Sequence, residues 1–424
     1  YTAILELVHH GVAADEKEAA WLAFHAGVDI DLVGECYRRH LPALVAEGRI
    51  AERDIDAACR RVLRAKEKLG LFDNPYRGLD EEKRAAVTLT AAARALAREA
   101  AAKSCVLLKN DGALPLARDR RIALIGPLAD SRANMQGTWA VAAKPEDSVT
   151  ILEGFRAVFG TVLYAKGANI VDDPNIAARL NLFGETVTID PPDTLLEEAT
   201  TQARKADVIV ACIGEAREHT GESSTRSTLE LPGSQRRLLE ALVATGKPLV
   251  LVTMSGRPLA LTWEDRHANA ILHAWFGGSE TGNAIADLFV GAANPSAKLA
   301  MSFPRDSGQC PMTYAEPPTG RPGDRIGLDV GGDSERDAQG RPVFRKFTTA
   351  CRLEGPATPL YPFGHGLSYT RFDYGDVVLD RSKLDGEDAV LAASVTVRND
   401  GAVAGEEIVQ LYIGDPVASR SRPV

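Results

Sequence analysis

The sequence predicts an α/β protein with a mostly parallel sheet, preceded by a helical segment and followed by a β-rich one. Three patterns carry that expectation. Between residues 105 and 290, continuous aliphatic runs alternate with helical stretches, as happens when helices cover both faces of a parallel sheet. Residues 14–26 and 54–70 instead show apolar spacings of three and four. Beyond residue 390, apolar and polar residues lean towards alternation, the signature of half-buried strands.

Taken in order, Tyr-Thr-Ala-Ile-Leu-Glu-Leu at the start reads as the interior of a helix. Over 54–70, Ile55, Ala58, Val62, Ala65 and Leu69 share one helix face, with Asp54 the expected cap and Gly70 the stop. Residues 71–76 carry turn chemistry, Gly78 to Lys83 reads as a linker, and an alanine-rich helix is expected over 88–103. Strands are expected at 122–126, 208–214, 249–253 and 270–275, with helices at 194–205, 233–245 and 280–290. Residues 390–398 and 406–412, with Asn399-Asp-Gly401 in the turn region between them, read as part of an antiparallel sandwich. Too few strands follow to close one before Ser-Arg-Pro-Val, so both ends are expected to be cuts through a larger protein.

Composition narrows the function. The 424 residues suggest two or three domains at about 150 each. Hydrophobic residues at 45% and charged residues at 25% exclude a disordered or collagenous chain. A net charge of −9 argues against a nucleic-acid footprint, which needs a clustered positive excess. No apolar run reaches the roughly 18 residues of a membrane span, and the first residues, Tyr-Thr-Ala-Ile-Leu-Glu-Leu, lack the charged region and cleavage site of a signal segment. The six cysteines (Cys36, Cys59, Cys105, Cys212, Cys310 and Cys351) show no CxxC spacing, so no zinc or dithiol site is expected and most should be small buried side chains.

The most polar loop after a buried strand is 214–232, and loops beyond the carboxyl ends of parallel strands line ligand crevices. It carries Glu215, Glu218 and Glu222, which by position alone read either as acid–base groups or as solvated loop charges. His9 and His10 are adjacent and cannot present one helix face to a metal. Ser255 and Ser279 lack the nucleophile-elbow context. Residues 277–282, Gly-Gly-Ser-Glu-Thr-Gly, fit close packing plus a Ser/Glu cap better than a phosphate cradle. Trp139 and Trp275 are candidates to stack on sugar faces or to serve as core aromatics.

Taken together in order, several blocks resemble glycoside hydrolase family 3, and within it the bacterial periplasmic-type β-glucosidases. They are Ala26-Gly-Val-Asp29, Gly70-Leu-Phe-Asp-Asn-Pro75, Ser104-Cys-Val-Leu-Leu-Lys-Asn-Asp111, Ile122-Ala-Leu-Ile-Gly-Pro-Leu-Ala-Asp130, Trp275-Phe-Gly-Gly-Ser-Glu-Thr-Gly282, Asn294-Pro-Ser-Ala-Lys-Leu299 and Tyr361-Pro-Phe-Gly-His-Gly-Leu-Ser-Tyr369. The resemblance implies the end of a (β/α)8 barrel over 1–75, a linker and helix over 76–103, and an α/β sandwich domain over 104–320. A connecting segment would cover 321–355, and 356–424 would begin a fibronectin type III-like domain.

The chemistry so implied is retaining, exo-acting hydrolysis of a β-glycoside by two carboxylates, without cofactor or metal. The family's nucleophile is an Asp in a Ser-Asp-aromatic motif, expected just upstream of Tyr1. Its acid/base is a Glu on a sandwich-domain loop; Glu222-Ser-Ser-Thr-Arg226 followed by Leu229-Glu-Leu-Pro232 fits that loop, with Ser223 and Thr225 replacing the usual Gly and Asp. Glu215 is the fallback and Trp139 a candidate substrate contact. The implied partner is an oligosaccharide or aryl β-glycoside, the implied location the periplasm or cell exterior. The competing expectation is a catalytically incomplete carbohydrate-binding or scaffold fragment, and a nucleotide enzyme is a distant third for want of a phosphate-cradling motif.

Overall fold

A computed structural model describes residues 1–182, 184, 187–314, 338–339, 356, 358–384, 386 and 388–414. The expected connecting segment 321–355, apart from 338–339, lies outside the described residues, as do Cys351 and the last ten positions. The chain forms two compact units, Tyr1–Thr90 and Ala91–Val424.

The first unit is helical: α1 Ala3–His9, α2 Glu16–His25, α3 Cys36–Ala46, α4 Glu52–Lys68 and α5 Glu81–Val87. Ala19, Ala20 and Ala23 of α2 pack with Cys36, Tyr37 and Leu44 of α3 and Ile4 of α1. Helix α4 starts earlier than its sequence suggests. Its N-cap is Ala51, which leaves Asp54 inside the first turn beside Glu52, where both carboxylates face the positive end of the helix. Residues read as a linker instead nucleate α5, because the Asp80 side chain accepts the Lys83 amide at 2.9 Å and caps it.

The second unit opens with α6 Ala91–Ser104, followed by β1 Val106–Asn110, β2 Arg121–Ile125, α7 Ile151–Val158, β3 Thr161–Ala165, α8 Pro174–Leu180 and α9 Pro192–Lys205. Then come β4 Val208–Gly214, α10 Gln235–Val243, β5 Leu249–Met254, α11 Thr262–His267, β6 Ala270–His273 and α12 Thr281–Phe289. The sheet order is β1-β6-β5-β4-β2-β3, with β1 antiparallel to β6 and all other pairings parallel.

Alternate strand residues feed two cores, which is why the strands read as unbroken apolar runs. Leu124, Val210, Val252 and Leu272 meet Phe155, Ile285 and Phe289 on one face. Ile125, Ile209, Leu251 and Ile271 meet Leu238, Leu239 and Leu242 on the other. Each such side chain contributes about 1.5–3 kcal/mol when fully buried. Helices α7 and α12 touch backbone to backbone: a Cβ on Gly282 would stand 1.9 Å from the Thr150 carbonyl oxygen. That contact explains Gly282 by packing. The cap expected there does not form; Glu280 instead binds Arg94 of α6 and Asn283, both at 2.7 Å.

Residues 361–367 pass from a bridge between Tyr361 and Phe303 to one with β1, where the Leu367 amide donates to the Leu107 carbonyl at 2.8 Å. Beyond them, β7 Phe372–Tyr374 pairs with β10 Val397–Asn399, and β8 Val378–Leu379 with β9 Ala393–Ser394, both antiparallel. Residues 406–412, expected as a strand, have no ladder partner among the described residues.

From β2 the chain steps outward to β3, then returns past β2 to β4 and continues through β5 and β6. The winding therefore reverses between β2 and β4. In a parallel sheet a crevice opens outside the carboxyl ends at that reversal, so the loops leaving β2 and β4 are its walls.

Candidate active site

Gly214 ends β4 at φ +137°, where a Cβ would lie 1.8 Å from the Met254 carbonyl oxygen. The Gln235 amide group fixes this turn by accepting from the Gly214 N–H at 2.7 Å and donating to its carbonyl at 2.8 Å. The Glu215 amide then donates to Met254 O at 2.8 Å, which directs its side chain inward.

Glu215 is wholly buried. Its Oε1 accepts from Arg226 Nη1 at 2.7 Å, and its Oε2 from Arg257 Nε and Thr220 Oγ1, each at 3.3 Å. The carboxylate is thus enclosed by two largely buried guanidiniums. Arg226 also donates to the Glu230 carbonyl at 2.9 Å. Arg257, three residues past β5, donates to the carbonyls of His219 and Ser224, the latter at 3.0 Å. Glu218 pairs with Arg217.

Glu222 sits at the outer end of the same loop, exposed, between Gly221 at φ +120° and Ser223 at φ +61°. Its carboxylate has no hydrogen bond or ion pair among the described residues. The loop leaving β2 lies alongside: a Cβ on Gly221 would be 2.4 Å from Thr138 Cγ2. Trp139, the next residue, is 63% exposed, with its ring covering Gly137. The sheet therefore brings the loops of Trp139 and Glu222 together at its winding reversal. Trp275 differs, packing against His273 and Phe303 at ring separations of 4.1 and 6.2 Å.

His9 and His10 are exposed beside Glu6. Among the described residues, no three His, Cys, Asp or Glu side chains are grouped to hold a metal. Cys36, Cys105 and Cys212 are buried, Cys59 and Cys310 exposed.

Arg257 is the residue that sequence reasoning missed. The only signal for it was an Arg closely following the neighbouring strand, within Met254-Ser-Gly-Arg257.

Two buried imidazoles near this edge make stability depend on pH. His273 Nδ1 lies 2.9 Å from Thr253 Oγ1, and burial pushes its pKa down to about 3. His219 is pushed down to about 4 by burial first and then by the Arg226 charge. Unfolded, both protonate below about pH 6.5. The unfolded chain thus binds more protons between about pH 6.5 and 4, so stability falls as pH drops through that window. Each ring accounts for about 1.4 kcal/mol per pH unit there. In urea denaturation at pH 7 and pH 5, His273→Gln is expected to lose about 2 kcal/mol less over the interval than the parent. An equal loss would show that this imidazole is not the titrating group.

Residues 105–369 match the glycosyl hydrolase family 3 C-terminal domain. The chain belongs to glycoside hydrolase family 3. It is 44% identical over 431 aligned residues to the "Periplasmic beta-glucosidase" of Salmonella typhimurium, covering 100% of this chain and 54% of that protein. It is 35% identical to a "Beta-xylosidase" of Formosa agariphila, over 97% of this chain and 53% of the relative. Among solved structures, the β-glucosidase from Listeria innocua in complex with isofagomine superposes with a TM-score of 0.83 at 35% identity, over 100% of this chain and 54% of that one. This family 3 chain thus spans about half the length of the curated relatives it matches.

Proposed function

We propose that this chain carries the acid/base half of a retaining, exo-acting β-glycosidase, most simply a β-glucosidase, and that Glu222 is the acid/base. The contrast between the two carboxylates carries the reading. Both oxygens of Glu215 are engaged by guanidiniums within the protein, whereas Glu222 projects into solvent with its carboxylate uncommitted. A group that must give a proton and later take one needs such access to substrate and water.

In the proposed reaction an aspartate attacks the anomeric carbon and the carboxyl of Glu222 gives its proton to the departing oxygen, which leaves a glycosyl-enzyme. Water then attacks that intermediate while Glu222 takes its proton, releasing the sugar with retained configuration. We place the aspartate in a Ser-Asp pair immediately ahead of Tyr1, which would itself be the aromatic of the Ser-Asp-aromatic motif. The first helical unit would then be the end of its (β/α)8 barrel, and β7–β10 the start of a fibronectin type III-like domain. That the relatives run to nearly twice this length supports the layout. Trp139, exposed beside the Glu222 loop, offers a flat face to the sugar beyond the scissile bond. The Salmonella relative's name supports a periplasmic location.

The test is Glu222→Gln in the polypeptide that includes the barrel, with Glu215→Gln as comparison. Glu222→Gln should slow turnover of cello-oligosaccharides by about 10²–10⁴-fold while glucose still binds. Full activity of that variant on a poor leaving group would overturn the reading. Sequencing through the codons ahead of Tyr1 tests the aspartate.

A further inference from the structure

We infer that Glu215, Arg257 and Arg226 form a buried electrostatic clamp whose task is to hold the Glu222 loop in register, and that Arg257 is the positioning residue. This rests on Glu222 being the acid/base and adds the device that aims it.

The loop arc between Glu215 and Arg226, with an exposed charged tip, has little apolar area to fix it, so its geometry must come from polar ties. The ties converge on one point. Arg257 reaches the carbonyls of His219 and Ser224, which bracket Glu222 three residues before and two after. Its Nε is held by Glu215, itself anchored to the end of β4, while the Arg257 backbone continues from β5. Two adjacent strands of one rigid sheet thus grip the loop from beneath. Arg226, on the returning limb, closes the cluster through Glu215 and the Glu230 carbonyl. Ser224 Oγ adds an internal tie by donating to the Glu218 carbonyl at 3.0 Å.

The close approaches around the arc agree with this function. A Cβ on Gly256 would fall 2.3 Å from Thr220 Cγ2, so the β5 turn and the loop lie in direct contact where the clamp passes. A guanidinium suits the position because its planar fork serves a carboxylate and two carbonyls at once; an ammonium on a shorter reach cannot.

The decisive variant is Arg257→Lys in the barrel-containing enzyme, because it keeps a cation against Glu215 but not the fork. Loss of aim should hurt proton delivery, so kcat/KM should fall about 10- to 100-fold on alkyl β-glucosides. On 2,4-dinitrophenyl β-glucoside, whose leaving group needs no proton, kcat/KM should stay within about threefold of the parent. Amide hydrogen exchange across 219–224 should quicken in the same variant. Ser224→Ala is a milder second variant and should show the same pattern at smaller amplitude.

Equal loss on both substrates would overturn the clamp and leave Arg257 a general stability residue. So would unchanged exchange and unchanged rates. The acid/base assignment fails separately, if Glu222→Gln itself shows no dependence on leaving group; the exchange measurement then still decides whether Arg257 orders the loop.

Discussion

On the acid/base role proposed for it, Glu222→Gln in the barrel-containing polypeptide is expected to lower kcat/KM for alkyl β-glucosides and cellobiose by about 10²–10⁴-fold, the range that a positioned general acid supplies. At the middle of that range the loss is ~4 kcal/mol of transition-state stabilisation. The glutamine amide keeps the size and polarity of the side chain but cannot give up a proton to the departing oxygen. For 2,4-dinitrophenyl β-glucoside the first step should proceed almost unimpaired, since that phenolate leaves unaided. The second step still needs a base to take the proton from water, so the glycosyl-enzyme should accumulate and KM should fall with kcat. Azide, which carries no proton to remove, should restore turnover and yield a β-glycosyl azide of retained configuration. Glu215→Gln should behave differently: its loss should be similar on every substrate and azide should not rescue it, because the change weakens two buried ion pairs rather than removing the proton donor. A variant series in which Glu215→Gln is the one rescued by azide would exchange the two roles.

The parts of this architecture that were legible in the sequence are those whose environment is uniform along the element. Strand β4 is buried at every position, so Val-Ile-Val-Ala-Cys-Ile-Gly could be read without knowing its neighbours. Strand β3 was not anticipated, because it lies at the sheet edge, half exposed, and Thr-Val-Leu-Tyr-Ala lacks a continuous apolar face. Strand β1 runs against its neighbour, a property that no residue type records. The cap expected at Asp54 did not form: the helix begins behind Ala51, whose side chain makes no capping bond, and Asp54 falls within the first turn beside Glu52.

The candidate site follows the same logic. A polar loop behind a buried strand was visible as a change of composition, and the three glutamates with it. What separates Glu215 from Glu222 was not visible, because the difference is made by partners. Arg257 lies 42 positions from Glu215 and meets it only through the parallel pairing of β4 with β5. One sequence read alone contains both residues but not their distance. The neighbouring position of Trp139 arises likewise, from the pairing of β2 with β4.

Gly214→Ala should be the most disruptive single-methyl change at this end of the sheet, with an expected loss of about 4 kcal/mol. Two costs add there. A φ of +137° is a conformation that alanine rarely adopts, and the added Cβ would press within 1.8 Å of the Met254 carbonyl oxygen, a backbone atom that cannot rotate away. Relief requires β4 and β5 to separate where Gln235 and the Glu215 amide hold the turn. Gly246→Ala is the matched control, since it also has positive φ, +71°, but nothing within 4 Å of the new methyl. It should lose only about 1–2 kcal/mol. For a unit of this size the difference of about 2–3 kcal/mol corresponds to a Tm gap between the two variants of roughly 3–4 °C, measurable by calorimetry. If the two variants melt together, backbone conformation alone sets the cost and the strand approach at Gly214 is looser than 1.8 Å implies. A Gly214→Ala enzyme that still folds should also lose activity beyond its loss of stability, because the same turn sets where Glu215 stands, and through Arg257 where the Glu222 loop is held.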